Sequence, residues 1–187
     1  LNGILSFGDT FSVIGVFKVV NFISDSAFAY NAASSYYASY PLVSGNWITG
    51  IGSRNTHGGY SGSAVTPTIV NADINDVAMT VLPNAPVDPA TGLPVPTIAV
   101  ATDGGVSVIK DDGTVVDLTY SISSNEAGKV WFPASGGIEW TSRIELGGYV
   151  YVYRENTIPS ADKSSEPDAR YGNFFYIPNR SDLTFLG

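Results

Sequence analysis

Cysteine is absent from this chain of 187 residues, which excludes disulfides, thiolate metal ligands and cysteine nucleophiles. Charge is also scarce: Asp, Glu, Lys and Arg make up 14% of the residues, against about 25% in an average globular protein. The charges that exist are unbalanced, with 17 acidic and 9 basic side chains and a net charge of -8. Because a net negative surface repels phosphate backbones, we expect no nucleic-acid partner.

Long apolar runs are lacking as well. The longest extends from Phe11 to Val20 and contains Lys18, so it falls short of the roughly 20 apolar residues that a membrane helix needs. The sequence therefore predicts no membrane span.

The sequence begins at Leu1 without a Met or a signal-sequence pattern. Such a start is typical of a processed product or of a piece of a longer protein.

Apolar residues and turn formers dominate what is present. Hydrophobic residues are 44% and aromatic residues 12% of the chain, with 20 glycines and 11 prolines. That much apolar surface can offset the entropy of ordering the chain, while this much glycine and proline disfavours helices. We therefore predict an all-β fold of short antiparallel strands.

The strongest apolar segment near the start is FSVIGVFKVVNFI, which runs from Phe11 to Ile23. As a strand it is apolar on both alternating faces, and such strands are usually covered on both sides, by the core or by a neighbouring subunit. The candidate assembly residues on these two faces are Phe11, Val13, Ile14, Val16, Phe17, Val19, Val20 and Phe22.

The next segment, from Ser24 to Pro41, is rich in Ser, Ala and Tyr. Asp25 or Ser26 could cap a short helix that ends before Pro41, and we predict the chain's single helix here. Several tyrosines in this context are typical of an adaptable contact surface. The candidate binding residues in it are Tyr36, Tyr37 and Tyr40.

The second half has the clearer strand pattern. A strand from Asp76 to Leu82 precedes a Pro-rich surface loop from Asn84 to Pro96. Asp-Gly turns then separate three further strands into an antiparallel meander, and a similar pattern follows at 140–160. The three strands of the meander are Thr97–Thr102, Val106–Lys110 and Thr114–Ile122.

Two copies of a motif lie in this half. GGVSVIKDD begins at Gly104 and GGYVYVYRE begins 43 residues later at Gly147, with a weaker echo, GGYSGSAVT, at Gly58. Periods of about 40 to 50 residues that hold several short strands are typical of β-propeller blades. In the second copy Tyr149, Tyr151 and Tyr153 share one face, and aromatic rings in a row can bind a sugar or pack inside the protein.

The segment TIAVATDGGVSVIKDDGTVVDL resembles a blade of the β-propellers found in secreted and phage-encoded proteins, and the wider text resembles phage tail and appendage proteins. The resemblance covers about residues 76–160. It implies propeller-like meanders in the second half and a place outside the cell on a virion appendage. The first 70 residues depart from the pattern, so we divide the chain into a β-rich N-terminal segment over 1–75 and β-meander repeats over 76–187. The alternative fold is one β-sandwich, jelly-roll or pilin-like, whose N-terminal strand is donated to a neighbour.

Candidate catalytic groups are few. His57 is the sole histidine and lies near Ser61 and Ser63, but GYSGS is not the G-x-S-x-G elbow of a serine hydrolase. A glycosidase would need two carboxylates about 5 to 10 Å apart, and no spacing selects such a pair. The acids considered for that role are Asp9, Asp103, Glu139 and Glu145.

The sequence accordingly predicts a non-enzymatic extracellular structural or recognition protein, with a virion tail fibre or spike as the leading version. No catalytic residue, cofactor or metal is assigned. Expected partners are copies of itself, other virion or filament proteins, or a surface glycan. The alternatives are a subunit of a secreted, donor-strand filament, and a carbohydrate-binding module or glycoside hydrolase.

Overall fold

The computed structural model describes residues 1–2, 4–9, 16–21, 26–31, 45–49, 68–71, 73–89, 91–120, 125–142 and 150–173. Every helix or strand assigned within these ranges is a β-strand, which confirms the predicted all-β class. The strands are β1 (Ile4–Asp9), β2 (Val16–Asn21), β3 (Ser26–Asn31), β4 (Gly45–Thr49), β5 (Ile74–Thr80), β6 (Thr97–Thr102), β7 (Gly105–Ile109), β8 (Val115–Leu118), β9 (Ala127–Trp131), β10 (Ile138–Ser142), β11 (Val150–Glu155) and β12 (Ala169–Asn173).

These strands form three antiparallel sheets of four strands each: the first sheet (β1–β4), the middle sheet (β5–β8) and the third sheet (β9–β12). Within each sheet every strand pairs with its neighbour in sequence, so each sheet is an open meander with two edge strands. A propeller blade has the same strand number. Closure of such units around an axis stays a prediction.

The middle sheet lies between the other two. Every residue of β6 and β7 is buried, because one face of these strands packs on the third sheet and the other packs on the first. Ala99 and Val108 belong to the cluster that contains Trp140 of the third sheet. Val100 belongs to the cluster that contains Phe17 of β2. Strands β6 and β7 therefore show the sequence pattern of strands that are covered on both sides, with apolar residues on both alternating faces.

Polar side chains join the middle and third sheets where β5 meets β9. The Asn75 amide Nδ2 donates to the carbonyl oxygen of Ala127 at 2.9 Å and to Asp103 Oδ1 at 2.7 Å. The backbone N–H of Val130 donates to Asp76 Oδ2 at 3.1 Å. These bonds hold the two sheets in register at their first strands.

The predicted meander of the second half is confirmed, with β6, β7 and β8 at the positions expected from the Asp-Gly turns. The predicted Pro-rich loop is also confirmed. It folds back on itself through a bridge between Val87 and Pro94, and Val87 is 60% exposed. The Asn2 amide Nδ2 donates to the carbonyl oxygen of Pro94 at 2.9 Å, which ties the loop to the start of the chain.

The helix predicted between Ser24 and Pro41 is wrong for its described part, Ser26–Asn31. Ser26–Asn31 is strand β3, paired with β2 on one side and β4 on the other. The letters SAFAYN alternate small or polar residues with aromatic ones, a period of two that suits a strand. Pairing with two neighbours outweighs a single capping signal at the segment's start.

Val16–Asn21 is the described part of the segment from Phe11 to Ile23, and its donation to a neighbouring subunit stays a prediction. This strand is β2, and both of its edges pair with β1 and β3 of the same chain. Phe17 is fully buried and packs against the middle sheet, with Val19 beside it. The candidate assembly residues Phe11, Val13, Ile14 and Phe22 lie outside the described residues.

Candidate interaction surface

Tyr153, a candidate binding residue, lies in the core between the middle and third sheets. It is 1% exposed, and its ring centroid is 5.5 Å from that of Trp140 and 5.6 Å from that of Tyr120, which meets it edge-on. This is ordinary aromatic core packing. A ligand ring cannot reach Tyr153.

Tyr151 is on the same face of β11 but nearer the start of the strand, and it is half-buried. Its ring stacks 6.3 Å from Tyr153 and lies across Gly172 of β12, where an added Cβ would come within 3.1 Å of the ring. The Arg170 guanidinium lies 5.6 Å from the ring centroid. The Tyr151 ring thus covers an exposed glycine on an edge strand and carries a cation–π contact.

The opposite face of the third sheet, here called the outer face, carries two cross-strand rows that sequence reasoning missed. The cross-strand pairing places Trp131, Glu139, Arg154 and Ala169 side by side in one row. The second row consists of Lys129, Thr141, Val152 and Tyr171. Tyr171 is 56% exposed and Trp131 is half-buried, so two aromatic rings flank the polar centre of this face.

Arg154 is held in place at the centre of the outer face. Its Nη1 donates to Glu139, its Nε to Asn156 Oδ1 at 3.0 Å, and its Nη2 to Ser135 Oγ at 3.0 Å. The Arg154 and Glu139 side chains are only 14% and 17% exposed. A guanidinium that is bonded in three directions and largely covered is a fixed structural group rather than a mobile surface charge.

Residues 156–168, here called the strap, connect β11 to β12 and reach across to the middle sheet. The Lys163 N–H donates to the Asp117 carbonyl at 2.8 Å, and the Thr119 N–H donates to the Lys163 carbonyl at 3.0 Å. The Asp117 N–H donates to Asp162 Oδ1 at 2.9 Å. The strap therefore forms a short parallel bridge along the open edge of β8.

Ion pairs join Lys163 in the middle of the strap to Glu155 and Asp168 near its two ends. Lys163 Nζ lies 2.6 Å from Glu155 Oε2 and 3.5 Å from Asp168 Oδ1. Burial raises the pKa of Glu155, and the Lys163 ammonium opposes that rise. The hydrogen bond to Glu155 in turn raises the pKa of Lys163. The pair neutralises a carboxylate that is 5% exposed, so its role in the structure is to hold the strap.

Asp117 is the second carboxyl group with a perturbed environment. The Ser107 hydroxyl donates to its Oδ1 at 2.6 Å, and the Val70 N–H donates to that hydroxyl at 2.8 Å. Burial raises the pKa of Asp117, and the neighbouring Asp162 carboxylate raises it further, while the Ser107 hydrogen bond lowers it. Asp117 thereby links β7, β8 and the strap.

Of the four candidate glycosidase acids, the structure describes the side chains of Asp103 and Glu139, and it does not bring these two together. Asp103 is bonded through Asn75 to the Ala127 end of β9, whereas Glu139 pairs with Trp131 at the other end of that strand. Four residues along a strand are about 13 Å, which exceeds the spacing of a glycosidase pair. Asp9 ends β1. Glu145, His57, Ser61, Ser63, Tyr36, Tyr37, Tyr40 and Tyr149 lie outside the described residues.

The described residues thus form an all-β protein of packed antiparallel sheets, with aromatic residues on the outer face of the third. None of them forms a helix long and apolar enough to cross a membrane. Within the same ranges no three His, Cys, Asp or Glu side chains are grouped so as to hold a metal ion. Comparison with family models, curated proteins and solved structures finds no match for this chain.

Proposed function

We propose that this protein is a non-enzymatic structural and recognition module that works outside the cell, on a virion tail appendage. The observation that carries the proposal is the arrangement of the three meanders: the middle sheet is covered on both faces, and Tyr171 is exposed on the edge strand of the third sheet. Repeated sheets that pack on one another and leave a tyrosine exposed suit a part that supports an assembly and binds a partner.

The perturbed polar groups of the described residues support a structural role. Glu155, Lys163 and Asp168 bond to one another, and Asp117 is engaged by Ser107 and the strap. Perturbed groups at catalytic sites usually face a cleft where a substrate can enter. Here they join strands and loops to one another.

Labelling and activity together test the proposal. We expect an antibody raised against the full chain to label tail appendages of virions in electron micrographs of the native source. We expect no release of reducing ends when the purified chain is incubated with a panel of polysaccharides. Label confined to the cell interior, or polysaccharide hydrolysis by the chain, would contradict the proposal.

A further inference from the structure

We propose that the Asp88–Pro89 peptide bond is a self-cleavage site, at which the Asp88 carboxyl group cuts the chain between β5 and β6. These two residues form the single Asp-Pro pair of the sequence. They lie in the Pro-rich loop, which the bridge between Val87 and Pro94 closes. The inference goes beyond the proposed function, because it concerns a covalent change in the chain itself.

The loop holds the carbonyl group of the bond that would break. The Asp88 carbonyl oxygen accepts hydrogen bonds from the Gly92 N–H at 2.8 Å and from the Thr91 N–H at 3.2 Å. Two such donors polarise the carbonyl group and stabilise the negative charge that develops on its oxygen when a nucleophile attacks the carbon. The turn therefore prepares this carbonyl group as an electrophile.

The nucleophile is the side chain of the same residue. Asp88 Oδ2 accepts from the Thr91 hydroxyl at 3.2 Å, and that hydroxyl accepts from the Leu93 N–H at 3.3 Å. These bonds keep the carboxyl group beside the turn that holds the carbonyl group. Attack by a carboxyl oxygen on the carbonyl carbon of its own residue closes a five-membered ring, so no second reactant has to be brought into place.

The cleavage consumes one molecule of water. A C–O bond forms between the carboxyl oxygen and the carbonyl carbon, the C–N bond to Pro89 breaks, and the Pro89 nitrogen takes a proton from solvent as it leaves. Pro89 is exposed, so solvent can deliver this proton. Water then opens the cyclic anhydride, which leaves two carboxyl groups on Asp88 and a free amine on Pro89.

The surroundings of Asp88 favour this step. Asp88 lines a cleft between the loop and the first sheet, and the other described residues that line the cleft are uncharged. They include the amides of Asn2 and Asn21 and apolar residues such as Leu93 and Pro96. Where the surroundings are less polar than water, the two N–H donors stabilise the developing negative charge more strongly.

The cut divides the chain but leaves the fold joined. Strands β5 and β6 lie on either side of the loop and pair with each other from Ile74–Thr102 to Thr80–Thr97. Asp76 of β5 also accepts from the Val130 N–H of β9. Fragments 1–88 and 89–187 therefore stay associated after the cut.

The test is incubation of the full chain in the most acidic buffer in which circular dichroism shows that it is folded, followed by denaturing electrophoresis and mass spectrometry. We expect fragments 1–88 and 89–187 to accumulate, and to elute together in size-exclusion chromatography until denaturant is added. The N–H donors already bind the carbonyl oxygen before the attack, so only the strengthening of these bonds accelerates the step. We therefore expect the folded chain to be cut about tenfold faster than the chain unfolded by guanidinium chloride in the same buffer.

Two variants test the nucleophile. Asp88→Asn replaces the carboxyl group, and Asp88→Glu keeps it but requires a six-membered ring, so each should slow the cut at least about tenfold. The matched control is Asp112→Asn, which changes another turn aspartate bonded by a following threonine hydroxyl and should leave the rate unchanged. The inference is overturned if no cut occurs between residues 88 and 89, if folded and unfolded chains are cut at equal rates, or if Asp88→Asn is cut as fast as the original chain. Fragments that elute separately without denaturant would overturn the retained association.

Discussion

Gly137 shows how a single residue is constrained by the packing of the third sheet. Its φ is +77°, and an added Cβ would overlap the carbonyl oxygen of Glu155. Gly113, in the turn between β7 and β8, has a similar φ of +83° but open space where a Cβ would lie. The two positions share the backbone conformation and differ in the room around it.

We therefore expect Gly137→Ala to destabilise the fold far more than Gly113→Ala. The left-handed conformation alone costs a residue with a Cβ about 1–2 kcal/mol, and this is the whole expected loss at position 113. At position 137 the clash with backbone adds to it, for a loss of more than about 3 kcal/mol. Urea unfolding of both variants measures the difference, and equal losses would show that the Glu155 backbone yields.

At the residue scale, the sequence predicts where the turns lie, but it does not predict which face of each strand is buried. Asp-Gly letters predict the turns beside β7 because few residues tolerate positive φ. The row of tyrosines in β11 is compatible with either a binding surface or core packing; Tyr153 lies in the core, while Tyr171, which no sequence motif singles out, is exposed. Alternation identifies the two faces of a strand, but only the pairing of sheets decides which face is covered.

At the scale of the elements, the strap protects an edge strand of the middle sheet. It covers part of the β8 edge, and an uncovered edge is a site for pairing with other chains. Asp117 lies where the strap, β7 and β8 meet, and its carboxyl group has a raised pKa because of burial and the nearby Asp162. The ordinary Asp value is 3.8.

Because its pKa is raised, Asp117 affects the free energy of unfolding in a definite direction as the pH changes. The folded chain binds this proton more tightly than the unfolded chain does, so the contribution to stability is largest at acid pH and is lost as the pH rises above about 3.8. Asp117→Asn keeps an oxygen to accept from Ser107 but does not titrate. We expect the stability of this variant relative to the original chain to increase between pH 3 and pH 7.

Urea unfolding at several pH values within that range measures the effect. Asp112 and Asp168 have lowered pKa values, so their contributions to stability change with pH in the opposite direction. These contributions are common to both chains and cancel when the two chains are compared at each pH. A stability difference that stays constant with pH would contradict the assignment.

The elements themselves were predicted well where a local signal exists. Strands β6 to β8 follow from alternation between turns, and the 43-residue repeat matches the third strands of the middle and third sheets, β7 and β11. The sequence does not predict strand β3 because Ser26 and the preceding Asp25 also suit a helix cap. The strap's bridge to β8 has no local sequence signal, since it joins residues about 45 positions apart.

At the scale of the whole molecule, β6 and β7 of the middle sheet are the most protected of the strands whose side chains the structure describes. Strands β6 and β7 are buried on both faces, whereas β12 is an edge strand that carries exposed residues at Tyr171 and Gly172. Opening the middle sheet requires separating it from both neighbours. Opening β12 disturbs only its pairing with β11.

Hydrogen exchange followed by mass spectrometry should reflect this order. We expect amides of β6 and β7 to exchange slowest, near the rate of global unfolding, and those of β12 to exchange roughly 100-fold faster. Similar protection in β6 and β12 would indicate that the third sheet opens only with the whole chain.

The meander connectivity also determines the order in which the sheets can form during synthesis. Each sheet uses four consecutive strands, so as the chain leaves the ribosome the first sheet can pair before the middle one is made, and the middle before the third. One apolar face of the middle sheet then stays exposed until the third sheet, which contributes Trp140 and Tyr153, has been synthesised and packs against it. A pause in translation after Leu118 would therefore prolong the stage at which this chain is most prone to aggregate.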